Sequence, residues 1–287
     1  MKKTINILAI FALVAFVFQA CDKIEEPYLR NDGGHKPGDT TGTAVRKVLL
    51  EDYTGHKCVN CPGAGLVAHD LKEQYEEQLV VVAVHAGFFA KPNSTGLYTA
   101  DFRTDAGNEY FDFFQIIANP NGMVNRIGEG QDRVLSETQW PSAVGAEIAK
   151  APVSTIEITG NYDDVTRVLG TLVDIKLLTD LQGKYRVCAM ITEDSIIAPQ
   201  MNNDPSIGPS PDWEDYVHMH MLRGNINGTW GSVITDEDIT AGSEYSVQCP
   251  DYDINAEWDD QQCHIVAFVF NEDTFEVVQA EEVKLVE

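Results

Sequence analysis

The apolar residues between positions 45 and 92 predict a strand, a helix and a second strand. A short apolar run at 48–50 is followed, from Ala64 to Tyr75, by apolar residues that recur at helical spacing. A continuous, valine-rich run then spans 79–84. Such a run is typical of a buried strand in a parallel sheet, so we expect the helix to connect two parallel strands.

A different pattern begins after Pro152, where alternating runs typical of β-strands are separated by turn-forming residues. These runs predict an all-β, immunoglobulin-like sandwich from residue 151 onward. The loop at 195–214, rich in Pro, Asn and Ser, is predicted to be a long surface excursion. The predicted strands are 154–159, 165–178, 185–192, 216–222, 245–248, 264–270 and 275–285.

The first twenty residues have the features of a bacterial signal peptide. Two lysines precede an apolar stretch at 7–18, which is too short to cross a bilayer comfortably, and Ala20-Cys21 follows. A small residue and then a cysteine after such a stretch resembles a lipoprotein cleavage site. We therefore predict that residues 1–20 are removed and that Cys21 is lipidated. The alternative is an ordinary signal peptide with an incidental Cys21.

Charge limits the kinds of partner that the chain can have. It carries 45 acidic and 20 basic residues, a net charge of −25. Removing residues 1–20 takes away two lysines, which leaves 45 acidic and 18 basic residues and a net charge of −27. That excess argues against nucleic acid and anionic membrane surfaces as partners. It fits a solvated protein that a lipid anchor attaches to the membrane through a flexible tether, predicted at 21–44.

Cys58 and Cys61 stand at the entrance of the predicted helix, and Pro62 follows directly. The positive end of a helix dipole stabilises a thiolate there, and His56 and Lys57 add positive character nearby. A Cys-x-x-Cys pair in a strand–helix–strand unit is typical of a thioredoxin-like redox motif. We predict Cys58 as the attacking thiol and Cys61 as the thiol that resolves the mixed disulfide.

A structural disulfide and half a zinc site are the alternatives for the same pair. Zinc would need two further ligands, and the sequence holds no second Cys-x-x-Cys and no His-x-x-x-His to supply them. Covalent haem attachment would need a histidine where Pro62 stands. No metal and no cofactor is therefore predicted.

The segment 52–62 resembles the active-site segment of thioredoxins. The resemblance implies that Asp52 takes the proton from Cys61. It would also place an aromatic residue directly before the first cysteine, where this chain has Lys57.

Pro120, in the sequence Asn-Pro-Asn-Gly, matches the cis-proline that thioredoxin-like folds place opposite the cysteine pair. A plain turn is the alternative, because these residue types favour turns. The resulting prediction is an α/β thioredoxin-like domain at 45–150, followed by an all-β immunoglobulin-like sandwich domain at 151–287.

Several short motifs in a fixed order resemble the outer-membrane-protein-twenty-eight lipoprotein family. The resemblance spans nearly the whole mature chain and implies an outer-membrane lipoprotein with a thioredoxin-like domain and a β-sandwich. It implies no firm activity, since adhesion or receptor roles are suggested as readily as redox ones. The motifs are Thr54-Gly55, Pro120-x-Gly122-x-x-Asn125-Arg126, Thr192-Glu193-Asp194, Gln200, Tyr216 to Arg223 and Gly228-Thr229-Trp230-Gly231.

The remaining cysteines are assigned by position. Cys249 and Cys263 flank one acidic stretch and are predicted to form a disulfide across a hairpin. Cys188 lies inside an apolar run and is predicted to be a buried free thiol.

Two other groups place residues of metal-ligand type close together in the sequence. The acidic residues at 251–259 are interpreted as a solvated hairpin tip, with a calcium loop as the alternative. His218 and His220 alternate on a predicted strand and are interpreted as a packed pair, because two imidazoles alone do not complete a metal site.

Two functions follow from these patterns. The first is a lipid-anchored outer-membrane thiol-disulfide oxidoreductase that acts on the thiols of exported proteins. The second is a non-catalytic surface lipoprotein for binding or adhesion, in which the Cys58–Cys61 disulfide is structural and the sandwich recognises a ligand. Whether Cys58 is exposed and reducible distinguishes the two.

Overall fold

The computed structural model describes residues 44–286. The predicted signal peptide, the lipidation predicted at Cys21 and the tether up to residue 43 lie outside these residues. Within them the fold is a mixed α/β arrangement dominated by β-sheets, and no helix is long and apolar enough to cross a membrane. The helices are α1 (Cys61–Tyr75), α2 (Asp105–Phe113) and α3 (Trp140–Ile148).

The strands fall at most of the predicted positions, with several short additions between 196 and 235. They are β1 (Val48–Thr54), β2 (Leu79–His85), β3 (Asn121–Val124), β4 (Ser154–Asp163), β5 (Val168–Leu177), β6 (Tyr185–Glu193), β7 (Ile196–Ile197), β8 (Gln200–Met201), β9 (Asp212–Trp213), β10 (Val217–His218), β11 (Met221–Asn225), β12 (Ser232–Thr235), β13 (Glu244–Gln248), β14 (Tyr252–Asp253), β15 (Cys263–Asn271) and β16 (Val277–Lys284).

The first strand–helix–strand unit forms as the apolar pattern predicts. β1 and β2 pair in parallel, with Val48 opposite Leu79. β1 is buried along its whole length, as expected for a strand covered on both faces. α1 begins at Cys61 with Pro62 in its first turn, where a missing N–H costs no helical hydrogen bond.

α1 and α3 cover one face of this unit. Ala64 and Leu71 of α1 share a buried apolar cluster with Trp140 and Val144 of α3. Trp140 is fully buried, and its Nε1 donates to the carbonyl oxygen of Leu135 at 3.2 Å. The indole therefore adds apolar contact area without leaving its N–H unpaired.

β1 and β2 belong to an eight-stranded sheet. Seven strands follow the order β16-β15-β6-β11-β2-β1-β3, and β12 pairs with β6. Side chains of β15 alternate between two clusters, with Val266 and Phe268 in one and Ile265 and Ala267 in the other. A strand covered on both faces needs apolar residues at consecutive positions, which explains the unbroken apolar run of β15.

β4, β5, β13 and β14 form a smaller antiparallel sheet that covers one of these faces. Along β5, Leu169, Val173 and Ile175 are buried in the cluster shared with the larger sheet, and Thr171 between them is buried too. The alternate residues, Gly170, Leu172 and Asp174, are half-buried. Such alternation is typical of a sheet with one face on the core and one face toward solvent.

Strands from both sides of residue 150 share the larger sheet. β11 lies parallel to β2, and Ala83 N donates to the carbonyl oxygen of His220 at 2.8 Å. This pairing covers the edge that β2 would otherwise expose. The division of the chain into domains at 45–150 and 151–287 stays a prediction, and one continuous sheet runs through both segments.

The two edges of the larger sheet also come together. Val277 N, at the start of β16, donates to the carbonyl oxygen of Asn125, just after β3, at 2.9 Å. Lys47, just before β1, forms an ion pair with Glu281 of β16. The sheet therefore curls, and its two edge strands, β3 and β16, come close enough to be linked.

A buried ion pair lies within the curled sheet. Arg126 donates through Nε and Nη2 to the two carboxylate oxygens of Glu51 at 2.8 and 2.7 Å, and the two side chains are 0% and 2% exposed. Burial disfavours the charged guanidinium, but the Glu51 carboxylate outweighs burial and raises the pKa of Arg126 above its usual value. Four aromatic rings lie with their centres 4.9–5.8 Å from the guanidinium carbon. They belong to Tyr110, Phe114, Phe268 and Phe270.

The disulfide predicted between Cys249 and Cys263 is not formed, and both residues are buried free thiols. The reason is that the segment between them is not a hairpin. β14 lies within it and pairs with β5, so Cys249 follows a strand of the smaller sheet and Cys263 opens a strand of the larger one. Burial raises the pKa of Cys249 to about 11. Burial is also the largest of several causes that raise the pKa of Cys263 to about 12. The prediction of a buried free thiol at Cys188 is confirmed.

Removing one partner of the Glu51–Arg126 pair should destabilise the fold strongly. Arg126→Met leaves the Glu51 carboxylate buried without a counter-charge, which costs about 3–5 kcal/mol in the free energy of unfolding. Urea denaturation of wild type and variant measures the difference. The exposed pair Lys176–Glu244 is the control, because Lys176→Met breaks a pair that water already screens and should change the stability far less. Equal losses for the two variants would contradict this prediction.

Candidate functional site

A turn between β1 and α1 carries the cysteine pair. Cys58 N donates to the carbonyl oxygen of Gly55 at 2.9 Å, and Cys61 is the first residue of α1. Gly55 is required because a Cβ there would lie 2.6 Å from the carbonyl carbon of Phe89. The two sulfur atoms form a disulfide, with the Cα atoms 5.4 Å apart. The predicted cysteine pair at the start of the helix is therefore confirmed.

Both cysteines are buried, with 2% of Cys58 and 3% of Cys61 exposed. The cover includes residues 200–203, here called the strap, which belong to the loop predicted as a surface excursion. That prediction is wrong for the strap, because Gln200 is buried against the cysteine turn. The thiol predicted to attack thus lies beneath a segment that is distant in sequence.

Hydrogen bonds join the strap to the cysteine turn. Gln200 Nε2 donates to the carbonyl oxygen of Cys58 at 2.9 Å. Met201 N donates to the carbonyl oxygen of His56 at 2.8 Å. Buried carbonyl groups need such partners, so the strap satisfies the His56 carbonyl and adds a second donor to the Cys58 carbonyl, which also accepts from Cys61 N at 3.2 Å.

Asn202 fixes the shape of the strap. Its Nδ2 donates to the carbonyl oxygens of Asp204 and Pro209 at 2.8 and 3.1 Å, and its Oδ1 accepts from Asp204 N at 2.9 Å. An asparagine that binds neighbouring backbone in this way favours a fixed turn. Next to it, Asn203 N donates to the carbonyl oxygen of Val59 at 3.1 Å.

A cavity of about 250 Å³ lies beside the disulfide. Asp52 and Cys61 contribute to its wall together with the aromatic ring of Trp213. The exposed Leu66 also lines it, so the cavity opens to the surface. Cys58 is not part of the wall. The strap therefore covers one cysteine, and the cavity reaches the other.

Asp52 is the ionisable group of β1 in this cavity. Its side chain is buried, with 4% of the residue exposed, and Oδ1 has no hydrogen-bond partner. Burial first, and the negative charge of Glu137 second, raise the pKa of Asp52 to about 7. A carboxyl group with this pKa gains and loses a proton near neutral pH, as a general acid or base requires.

Three histidines surround the ring of Phe102 near the cavity. The centres of the His56, His85 and His218 rings lie 5.8, 5.4 and 5.5 Å from the centre of the Phe102 ring. Burial lowers the pKa of all three, that of His218 to about 4. His56 is therefore neutral near pH 7 and does not supply the positive character that the sequence suggested.

The neutral histidines leave ring nitrogens unpaired. His85 Nδ1 and Nε2 and His218 Nε2 are buried without a hydrogen-bond partner, and both residues line the cavity. Buried polar atoms usually have partners, so these nitrogens are exceptions among the buried polar groups of the described residues.

The described part of the chain holds no group of three side chains suited to a metal ion. His218 contacts aromatic rings, whereas His220 Nδ1 lies 3.3 Å from the carboxylate of Asp194. In the acidic stretch, Tyr252 and Asp253 form β14, and the Asp259 side chain accepts from Gln261 N at 3.1 Å. These groups have separate structural partners and do not converge.

The peptide bond between Asn119 and Pro120 is cis, as predicted. Pro120 directly precedes β3, in which Gly122 pairs with Asp52. It does not belong to the wall of the cavity that Asp52 and Cys61 share. The structure thus brings Asp52 and Cys61 together and places Pro120 at the neighbouring strand.

Sequence reasoning missed the residues that the second segment contributes to the site, among them Trp213 and the contact of Gln200 with the cysteine turn. Gln200 and 216–223 belong to the family motifs, which was the only signal that pointed to them. His85 could have been noticed, since it ends β2 opposite Thr54, the last residue of β1. Carboxyl ends of adjacent parallel strands converge on one edge, where functional residues gather.

The fold and the site define a β-rich α/β protein with a cysteine pair enclosed beneath a strap. The chain belongs to the family described as Outer membrane protein Omp28, which matches residues 107–287, more than half of the chain. Membership in this family, which the motifs predicted, associates the chain with the outer membrane. A search among curated proteins found no match.

Two solved structures from the comparison share the fold at low sequence identity. HBP35 of Porphyromonas gingivalis is 14% identical with a TM-score of 0.60, over 85% of this chain and 76% of that one. A protein from Agrobacterium tumefaciens is 13% identical with a TM-score of 0.53, over 86% of this chain and 97% of that one. A domain of the outer membrane lipoprotein Omp28 from Porphyromonas gingivalis is 22% identical with a TM-score of 0.29, over 47% of this chain and 90% of that one.

The buried Asp52 should make stability depend on pH. Its pKa is about 7 in the folded chain against an ordinary value of 3.8, so the folded state holds its proton longer than the unfolded state does. Stability from this group is complete at low pH and is lost as the pH rises toward 7, at about 1.4 kcal/mol per pH unit. Asp52→Asn should therefore gain stability relative to wild type between pH 5 and pH 8.

Urea denaturation of both proteins at several pH values measures this gain. Glu137→Gln is the matched variant. Removing the neighbouring charge should lower the pKa of Asp52, so the pH range in which stability is lost should move to lower pH but should still be seen. A stability difference between Asp52→Asn and wild type that is constant from pH 5 to pH 8 would show that Asp52 does not titrate in this range.

Proposed function

We propose that the protein is a lipid-anchored outer-membrane lipoprotein that exchanges thiols and disulfides with exported proteins through Cys58 and Cys61. The observation that carries this proposal is that the unpartnered carboxyl group of Asp52 and the disulfide residue Cys61 share one cavity. A proton acceptor with a pKa near neutrality beside a thiol is what the resolving step of such exchange requires.

A thioredoxin-like arrangement of residues 45–150 is part of the proposal. It is supported by the strand order β2-β1-β3, in which β2 is parallel and β3 antiparallel to β1. The position of Cys61 at the first turn of α1 supports it as well. An immunoglobulin-like sandwich for residues 151–287 is supported by the apolar cluster between the two sheets.

In the proposed reaction the reduced Cys58 thiolate attacks a disulfide of the partner and expels one partner thiolate. This forms a mixed disulfide through Cys58. The Asp52 carboxylate then takes the proton of Cys61, and the Cys61 thiolate attacks the Cys58 sulfur. The second partner thiolate leaves, so the partner is reduced and Cys58–Cys61 is oxidised. The strap must move away from Cys58 for the first step, because Cys58 is buried beneath it.

A second candidate is a binding protein in which the disulfide is purely structural. The burial of both cysteines favours it, because a catalytic cysteine of this kind is ordinarily accessible. The exposed aromatic ring of Phe88, in the segment that hydrogen-bonds to Lys57 N, would suit contact with a partner surface. The two candidates differ in whether Cys58 forms mixed disulfides.

Trapping tests the exchange reaction. With Cys61→Ser the resolving thiol is lost, so mixed disulfides through Cys58 should accumulate and appear on non-reducing gels of envelope proteins. Cys58→Ser is the matched control and should trap few. Adding Gln200→Ala to Cys61→Ser should increase trapping severalfold, because it removes the strap bond to the Cys58 carbonyl. Absence of adducts in every variant would favour the binding protein.

Lipidation at Cys21 is the test of the anchor. Palmitate labelling of cells that express the full chain should mark the wild type and should be lost in Cys21→Ala. Labelling of both proteins to the same extent would show that Cys21 is not the lipidated residue.

A further inference from the structure

The two cysteines of the disulfide face different surroundings. Cys58 lies under the strap, whose backbone and side chains are bonded to the cysteine turn. Cys61 lines the cavity that opens at Leu66. A reagent can therefore approach Cys61 while the strap remains closed over Cys58.

The size of the cavity selects what can enter. Its volume of about 250 Å³ exceeds that of engineered cavities of about 150 Å³ that admit benzene. It falls below the sites of about 300–1,000 Å³ that enclose drug-sized ligands. A small organic molecule fits in the cavity. A cysteine of a folded protein does not fit, because the polypeptide attached to it is too large to enter.

The wall of the cavity is suited to a small polar thiol. The wall contains Asp52, His85 and His218, each with a buried polar atom that has no hydrogen-bond partner, and apolar side chains such as Trp213 and Val81. Imidazole nitrogens hydrogen-bond hydroxyl and amide groups, and the carboxyl group of Asp52 is a proton acceptor in the cavity that Cys61 also lines.

From these observations we infer that the cavity is the entry site for a low-molecular-weight thiol that reduces the Cys58–Cys61 disulfide. This rests on the proposed function and adds its second substrate. Exported proteins meet Cys58 when the strap opens, and the small thiol meets Cys61 through the cavity.

The reduction balances with two equivalents of the thiol. Asp52 takes the proton of the first thiol, whose sulfur attacks the Cys61 sulfur, and the electron pair of the broken S–S bond goes to Cys58, which leaves as a thiolate. A second thiol attacks the bound small-molecule sulfur and releases a small-molecule disulfide. Cys61 leaves as a thiolate, and the protons of the two thiols end on Cys58 and Cys61. Two thiols are oxidised and one protein disulfide is reduced.

The test is the rate at which 2-mercaptoethanol reduces Cys58–Cys61 in the full mature chain, followed by alkylation and mass spectrometry. Leu66→Trp narrows the cavity mouth and should slow reduction at least about tenfold, because exchange depends on access to the attacked sulfur. The matched control Gln74→Trp places the same side chain elsewhere on the exposed surface of α1 and should leave the rate within about twofold of wild type. Met219→Trp, at another exposed residue of the cavity wall, replaces Leu66→Trp should that variant fail to fold.

A second measurement does not depend on turnover. In Cys58→Ser the remaining Cys61 thiol should react with iodoacetamide, and Leu66→Trp should slow this alkylation by a similar factor. Equal rates for Leu66→Trp and Gln74→Trp in both measurements would overturn the entry site, even where protein adducts through Cys58 are trapped. Slowing by Leu66→Trp with no trapped protein would instead support the entry site and count against exported proteins as substrates.

Discussion

The packing of the larger sheet depends on the buried contact between Glu51 and Arg126. Two charges inside an apolar interior are costly unless they meet at hydrogen-bond distance, and here both carboxylate oxygens are used. The rings around the guanidinium come from α2, from the residue after it and from β15. The charges are therefore compensated only when distant parts of the chain have assembled, which couples the formation of β1 to that of the whole curled sheet.

Glu51 and the next residue of β1, Asp52, lie in two different environments. Successive side chains point to opposite faces, so Glu51 and Asp52 are separated by the sheet although they adjoin in sequence. Glu51 meets a counter-charge among aromatic rings, whereas Asp52 faces a cavity that offers it none. The same burial that stabilises the strand thus leaves a carboxyl group whose proton is held near neutral pH.

The strap joins the cysteine turn to a distant part of the chain, and it also blocks access to Cys58. Its bonds to the cysteine turn satisfy buried carbonyl groups and exclude water from Cys58. Exchange at Cys58 requires these bonds to break, and local opening of a short loop is less costly than opening of the sheet. Cys61 lies on the cavity side and Cys58 beneath the strap, so the two sulfur atoms have different surroundings.

The sequence by itself determined the local elements. Helical spacing and Pro62 predicted α1, the valine-rich run predicted β2, and period-two or continuous apolar runs predicted β4, β5, β6 and β15, because these patterns record which faces of each element are buried. Residue type and position predicted a reactive pair at Cys58 and Cys61, and the resemblance to thioredoxins predicted a role for Asp52. The family resemblance agrees with the membership of the chain in the Omp28 family.

Only the tertiary structure decided how these elements combine. Pairing of β11 with β2 and closure of the sheet edges join segments more than a hundred residues apart, and no local pattern specifies such partners. The same holds for the strap, for the three neutral histidines and for the free thiols of Cys249 and Cys263. In each case the burial and pairing of a residue depend on which distant part of the chain packs against it. Residue type and spacing indicate only that some part of the chain must do so.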